Sequence, residues 1–218
     1  MPISSIPRAK GSVNIALLSK VCLLFSFEMI AAAAGSYFGR GITGGWELLG
    51  LFLGSMVMLI VVKVLESESK VLATFGATFF AFLIGLWCGP SLAHYSHTLG
   101  WSTVALSFLG TVLVMILFGG IGAFSGRDFS SWGPFLFQSL IGLIVARIIF
   151  LFLPAMSFTA ILSGLAGALL FSGYFVYDFY KAAHDENTWE NAIDHSINIF
   201  LDFINMLFSL LSLESGRK

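Results

Sequence analysis

Long apolar runs separated by short polar clusters set the layout of this chain. Seven runs, at about 15–38, 46–65, 71–90, 101–124, 132–153, 156–177 and 190–213, approach the length a membrane-crossing helix needs; that length is about 20 mostly apolar residues. A membrane strand would instead alternate apolar and polar residues over about ten positions. Runs such as VLVMILF (112–118) do not alternate. The pattern predicts an all-α membrane protein, a seven-transmembrane-helix bundle. The connections are short, so residues 1–218 read as one integral membrane domain.

The last run departs from uniform hydrophobicity. Asn191, His195, Asn198, Asp202, Asn205, Ser209 and Ser212 recur every three or four residues, which places them on one face of a helix. The other face is Ile, Phe, Leu and Met. A polar stripe through an apolar helix faces the bundle interior or water. Interhelical hydrogen bonding accounts for the Asn and Ser residues. It accounts less well for Asp202, because an aspartate near a membrane helix centre costs roughly 2.5–3.5 kcal/mol on insertion scales. Asp178, near the end of run six, is its natural partner: the connection KAAHDENTW is short, so runs six and seven read as antiparallel neighbours. Two carboxyls held close together titrate as a unit.

Composition agrees with the pattern. Hydrophobic residues make up 57% and charged residues 11%, against roughly 25% charged in a soluble domain; the mean hydropathy is +0.92. The net charge of −1 offers no basic field for nucleic acid. Cys22 and Cys88 lie in apolar runs and read as packing residues, without a disulfide framework or zinc spacing. The N-terminal stretch MPISSIPRAKGSVN is short, polar and mildly basic, and the first run carries Lys20 and Glu28, so it reads as a retained helix. Arg8, Lys10, Lys63, Lys70, Arg127 and Lys181 fall on one side and Arg40, Arg217 and Lys218 on the other, which favours a cytoplasmic N-terminus. The basic tail fits that rule poorly, and a seventh segment that re-enters and returns is the alternative.

Other polar features have plainer readings. Glu28 and Arg147 are intramembrane charges; they pair with each other, or Arg147 reaches the aspartates. His94 and His97 fall in the third connection and read as solvated. Lys63, Glu66, Glu68 and Lys70 read as a solvated loop. Trp46, Trp101 and Trp132 begin helices, where interfacial anchoring explains them. SGLAGALLFSG (163–173) lets helices approach closely. FGGIGAFSG (118–126) lacks the G-x-G-x-x-G of a dinucleotide loop and reads as packing and a helix end.

The chain resembles the Bax inhibitor-1 (transmembrane Bax-inhibitor-motif) family. The resemblance is clearest at GYFVYDFYKAAHDENTWENAIDHSINIFLDFINMLFSLL (173–211), with Tyr177–Asp178 before a polar loop and Leu201–Asp202 with Asn205 on the last helix. FGGIGAFSGRDFSSWGPFL (118–136) is a second match and FFAFLIGLWCGPSLAHY (79–95) a weaker one. Together they cover runs three to seven. The resemblance implies a bundle with helix seven at its centre. It also implies a pH-sensitive calcium leak closed by a proton-sensing pair, Asp178 and Asp202. Some prokaryotic relatives carry a helix-two glutamate near the pore; the interior of 48–65 has none, and Glu28 is the candidate substitute.

The leading expectation is therefore a passive calcium leak of the cell membrane, or of an endomembrane such as the endoplasmic reticulum in a eukaryote. Calcium is the transported ion, no cofactor is implied, and membrane lipid is the surrounding partner. The rival is an interaction protein acting on another membrane protein, such as a protease, or in a cell-death or stress response. An intramembrane enzyme is not expected, because G-x-S-x-G, HExxH and a convincing Ser–His pair are missing.

Overall fold

A computed structural model describes residues 13–152 and 157–217, and these form seven helices. They are α1 (Ile15–Gly39), α2 (Gly45–Glu68), α3 (Lys70–Leu99), α4 (Trp101–Phe124), α5 (Trp132–Leu151), α6 (Ser157–His184) and α7 (Trp189–Gly216). Each is long and apolar enough to cross a membrane. Arg8, Lys10, Lys218 and the ends expected at 153 and 156 lie outside the described residues.

Local chemistry fixes the boundaries. Asn14 caps α1, accepting from Leu17 N at 3.1 Å, and its own N–H donates to the Ala183 carbonyl at 2.6 Å. That ties the start of α1 to the end of α6. Ser69 caps α3 and Thr188 caps α7 through their side chains. Between α3 and α4 the whole connection is Gly100, at φ 88°, a backbone state that disfavours any side chain.

Two helices outrun their expected ends. α3 continues nine residues past Pro90 to Leu99, so His94 and His97 lie on its last turns rather than in a connection. A proline inside a membrane helix is tolerated because neighbouring groups satisfy the freed carbonyl. α6 runs seven residues past 177 to His184. α7 is continuous over 28 residues, which removes the re-entrant alternative. Trp46, Trp101 and Trp132 do stand at the first turns of α2, α4 and α5.

α7 is the central element. Its face away from the polar stripe is buried too: Phe200 is fully buried and meets Phe80 of α3 edge to face at 6.3 Å. α1, α3, α4 and α6 surround it. α5 and α2 lie outside, and among the described residues α5 is backed closely only by α6. Small residues set the seams. A Cβ at Gly35 or Gly85 would collide with backbone across the α1–α3 contact, and one at Gly164 would strike the backbone of α7. Gly122 meets the backbone of Val176 across the α4–α6 seam, as the packing reading of 118–126 requires.

Two smaller readings change. Cys88 is buried, but Cys22 is exposed on the outer surface of α1. The charges at 63–70 are not a free loop. Lys63 forms an ion pair with Asp194 of α7 and another with Glu66 at 3.4 Å, which pins α2 to the centre.

Candidate functional site

Thr188 starts α7, its hydroxyl accepting from Asn191 N at 3.1 Å. From there the stripe runs down the helix and meets α6 in antiparallel register. Gly167 lies against Ser209, which sets Asp178 level with Asn198 and Asp202 one turn deeper. The remaining offset is about 6 Å. Helical side chains lean toward their own N-terminus, so on antiparallel helices these two lean toward each other. Both carboxyls are buried, at 5% and 6% exposure, and they face each other across the seam closely enough to interact electrostatically. Oδ2 of Asp202 has no hydrogen-bond donor among the described residues. Two carboxyls this close and this buried cannot both ionise cheaply, so they titrate as one unit.

The pair lies on the wall of a cleft of about 570 Å³ between α5, α6 and α7. Asn198, Asn205, Tyr174 and Tyr177 line it beside the aspartates, and Gly133 and Pro134 close its side at the start of α5. A side chain at Gly133 would strike the Tyr177 hydroxyl. Asn198 is exposed and Asn205 half-buried. The Asn205 amide nitrogen donates to the Leu201 carbonyl at 2.8 Å, which leaves its amide oxygen as an acceptor.

The α4–α5 loop sits at the same end. Asp128 accepts from Ser130 N at 2.8 Å and from the Tyr180 hydroxyl at 2.9 Å. Those bonds, Ser130 first, hold the exposed Asp128 carboxyl below the usual carboxylate range. Phe129 packs edge to face on Trp132 and Tyr180, so the loop is anchored to α6 just beyond Asp178.

The other expected residues are not gathered here. His195 is buried, and its Nε2 lies 2.9 Å from Oδ2 of Asp185, toward the α6–α7 connection. Glu28 does not pair with Arg147. Glu28 Oε1 accepts from Ser196 Oγ at 2.8 Å in the α1–α7 interface, and its Oε2 has no partner among the described residues. Arg147 donates from Nε to Ser163 Oγ and from Nη2 to Ser209 Oγ, both at 3.2 Å; it does not reach the aspartates. The expected ion pair fails because the two side chains point into different seams, and neutral hydroxyls occupy the place of the counter-charge. Ser196, Ser163 and Tyr174 were not singled out from the sequence. Ser196 lies off the stripe, one residue beyond His195, and only its burial against α1 reveals it. Among the described residues, no three His, Cys, Asp or Glu side chains converge on one point.

Fold and site together define an integral membrane protein with seven membrane-spanning helices and an acidic pair buried beside its central helix. Residues 15–217 match the family described as Inhibitor of apoptosis-promoting Bax1, and the chain belongs to this Bax inhibitor family. It is 32% identical over 139 residues to Protein LIFEGUARD 4 of Arabidopsis thaliana, covering 61% of this chain and 51% of that one. It is 30% identical over 171 residues to Bax inhibitor 1 of Schizosaccharomyces pombe, covering 77% and 61%. An uncharacterised protein of Campylobacter jejuni is 27% identical over 203 residues, covering 87% and 84%. The chain thus spans about half to three-fifths of the length of the plant and yeast relatives it matches.

Proposed function

We infer that this protein is a passive, pH-sensitive calcium leak of the membrane it spans, gated by Asp178 and Asp202. The observation that carries the reading is the pair itself: two buried carboxyls facing each other across the α6–α7 seam, on the wall of a cleft. The pair has three charge states, and only the singly protonated one forms a short, charge-assisted bond. That state ties α6 to α7. Loss of its proton puts two negative charges across the seam, and a second proton removes the charge assistance. Either change loosens the contact beside the cleft.

Calcium is the ion the oxygen set suits. Carboxylates of Asp178 and Asp202 with amide oxygens of Asn198 and Asn205 are hard donors. Four side chains fall short of the six to eight oxygens calcium prefers, so water completes the shell and binding is weak, as passage requires. The membrane is the cell membrane, or an endomembrane such as the endoplasmic reticulum in a eukaryote. The test is calcium flux into proteoliposomes across pH. Wild type should give a pH-dependent rate, and Asp178→Asn and Asp202→Asn a flattened one. A normal pH profile in both folded variants refutes the gate.

A second reading takes support for its cell-death branch alone from the words of the family description and of the yeast relative's name. It is an interaction protein acting on a membrane protease or in a cell-death or stress response, without transport. Absence of flux from well-folded protein at every pH favours it.

A further inference from the structure

The bundle end away from the α6–α7 connection holds a second polar cleft, of about 550 Å³. Its charged group is Arg147. A guanidinium has five N–H donors. Two go to Ser163 Oγ and Ser209 Oγ, and the other three meet no acceptor among the described residues. Ser209 donates its own proton to the Asn205 carbonyl at 2.7 Å, so it offers Arg147 only a lone pair. The hydroxyls of Tyr95, Ser163 and Ser215 also line this cleft. Among the described residues, no carboxylate pairs with the cation. Among the described residues, Tyr95 is the one ionisable group with electrostatic reach on Arg147, and Glu214 of α7 is taken by Arg217 at 3.1 Å.

We propose that this cleft binds a phosphate group, with Arg147 as the charged anchor and the hydroxyls of Tyr95, Ser163 and Ser215 as flanking donors. The chemistry is selective in sign. A cation among hydroxyls, with no carboxylate beside it, repels calcium and attracts an anion. The planar guanidinium matches phosphate oxygens two at a time. Depth agrees: Arg147 lies five residues from the α5 C-cap at Phe152, or about 7.5 Å along the axis. A long side chain bridges that distance toward a headgroup layer by snorkelling. Phe150 and Phe208 line the same cleft, giving an apolar surface beside the anchor. The phosphate comes from a phospholipid headgroup or from free inorganic phosphate, and both carry the same recognised oxygens. The site is remote from the acidic pair and does not depend on calcium transport.

The experiment uses the full chain purified in a neutral detergent. One arm adds phosphatidylglycerol to the micelles, with diacylglycerol as the phosphate-free control; the other adds inorganic phosphate. Bound lipid is counted by native mass spectrometry, and thermal unfolding is followed by tryptophan fluorescence. Phosphatidylglycerol should be retained and raise Tm, and diacylglycerol should do neither. Response to phosphatidylglycerol alone identifies a lipid site, and response to inorganic phosphate as well identifies one that also admits the free ion; both uphold the proposal. Arg147→Gln should weaken binding about tenfold or more, the loss expected of a charge-assisted hydrogen bond. If that variant does not fold, Arg147→Lys keeps the charge without the fork, and Ser163→Ala with Ser215→Ala removes flanking donors. Each should weaken binding severalfold. The proposal is overturned if wild type responds to neither phosphate source, or if all these variants bind as wild type does.

Discussion

Gly164→Ala places a methyl group in the seam that aligns the acidic pair. A Cβ there would stand 2.6 Å from the Leu213 nitrogen and 2.7 Å from the Ser209 carbonyl oxygen, against the 3.4 Å at which ordinary contact begins. The helices must part by about 0.8 Å, because both obstacles are backbone and cannot rotate aside. Overpacking of this kind costs about 1–3 kcal/mol. Lipid tails are as apolar as the seam, so burying the methyl gains nothing from transfer. Alanine's better helix propensity returns about 1 kcal/mol at most, which at full return leaves a net loss between roughly zero and 2 kcal/mol. Gly142→Ala on α5 is the control, since nothing lies within 4 Å of its Cβ; it should gain up to about 1 kcal/mol from propensity alone. The assay is reversible unfolding in mixed micelles titrated with SDS and read by tryptophan fluorescence. Equal stabilities for the two variants would refute the argument that the α6–α7 distance is set by backbone contact at Gly164.

The Glu28→Gln and Arg147→Leu stability losses should add in the double variant to within about 0.5 kcal/mol, because the two side chains share no partner; a larger coupling measured by the same titration contradicts the assignment. With Cys22 and Cys88 replaced, Asn198→Cys should react quickly with a small polar thiol reagent and Phe200→Cys slowly, as their exposure dictates; matched rates would argue against a water-accessible cleft. Asp128 has a lowered carboxyl pKa, so its loop anchor contributes fully above the unfolded value of about 3.9 and is lost only as pH falls through the lower folded value. Asp128→Asn should therefore leave any pH response near neutrality in place, and its disappearance would move the sensor from the acidic pair to the loop. Trp189→Phe removes the Nε1–H bond to Thr74 Oγ1 at 3.0 Å and should cost about 1 kcal/mol; no change in the SDS midpoint would show that bond to be idle.

Hydrophobic run length located the helices well, because a membrane helix must be long and continuously apolar. α4 spans Trp101–Phe124, the limits its apolar run marks. Run length failed where helices leave the apolar layer. α3 passes Pro90 into HYSH, and α6 carries Tyr180, Lys181 and His184 beyond Asp178; a hydropathy window stops at such residues although the backbone bonds continue. Period likewise gave the stripe on α7, and short connection length gave its partner helix. Pairing across helices was less legible. Whether Glu28 meets Arg147 depends on helix rotation, which neither spacing nor depth specifies. The roles of Ser196, buried against Glu28, and Ser163, bonded to Arg147, show only after the helices are packed.

The order of synthesis gives the central position of α7 a consequence for biogenesis. The other six helices precede it in the chain, so α1, α3, α4 and α6 enter the bilayer before the helix they surround exists. Until α7 is threaded between them, Glu28 lacks Ser196, Asp178 lacks Asp202 and Lys63 lacks Asp194. The nascent bundle is therefore an open shell whose polar groups face a slot that lipid cannot satisfy. Insertion of α7 and closure of the shell become a single late event, and a chain stalled before residue 189 presents quality-control proteases with unpaired charges inside the membrane.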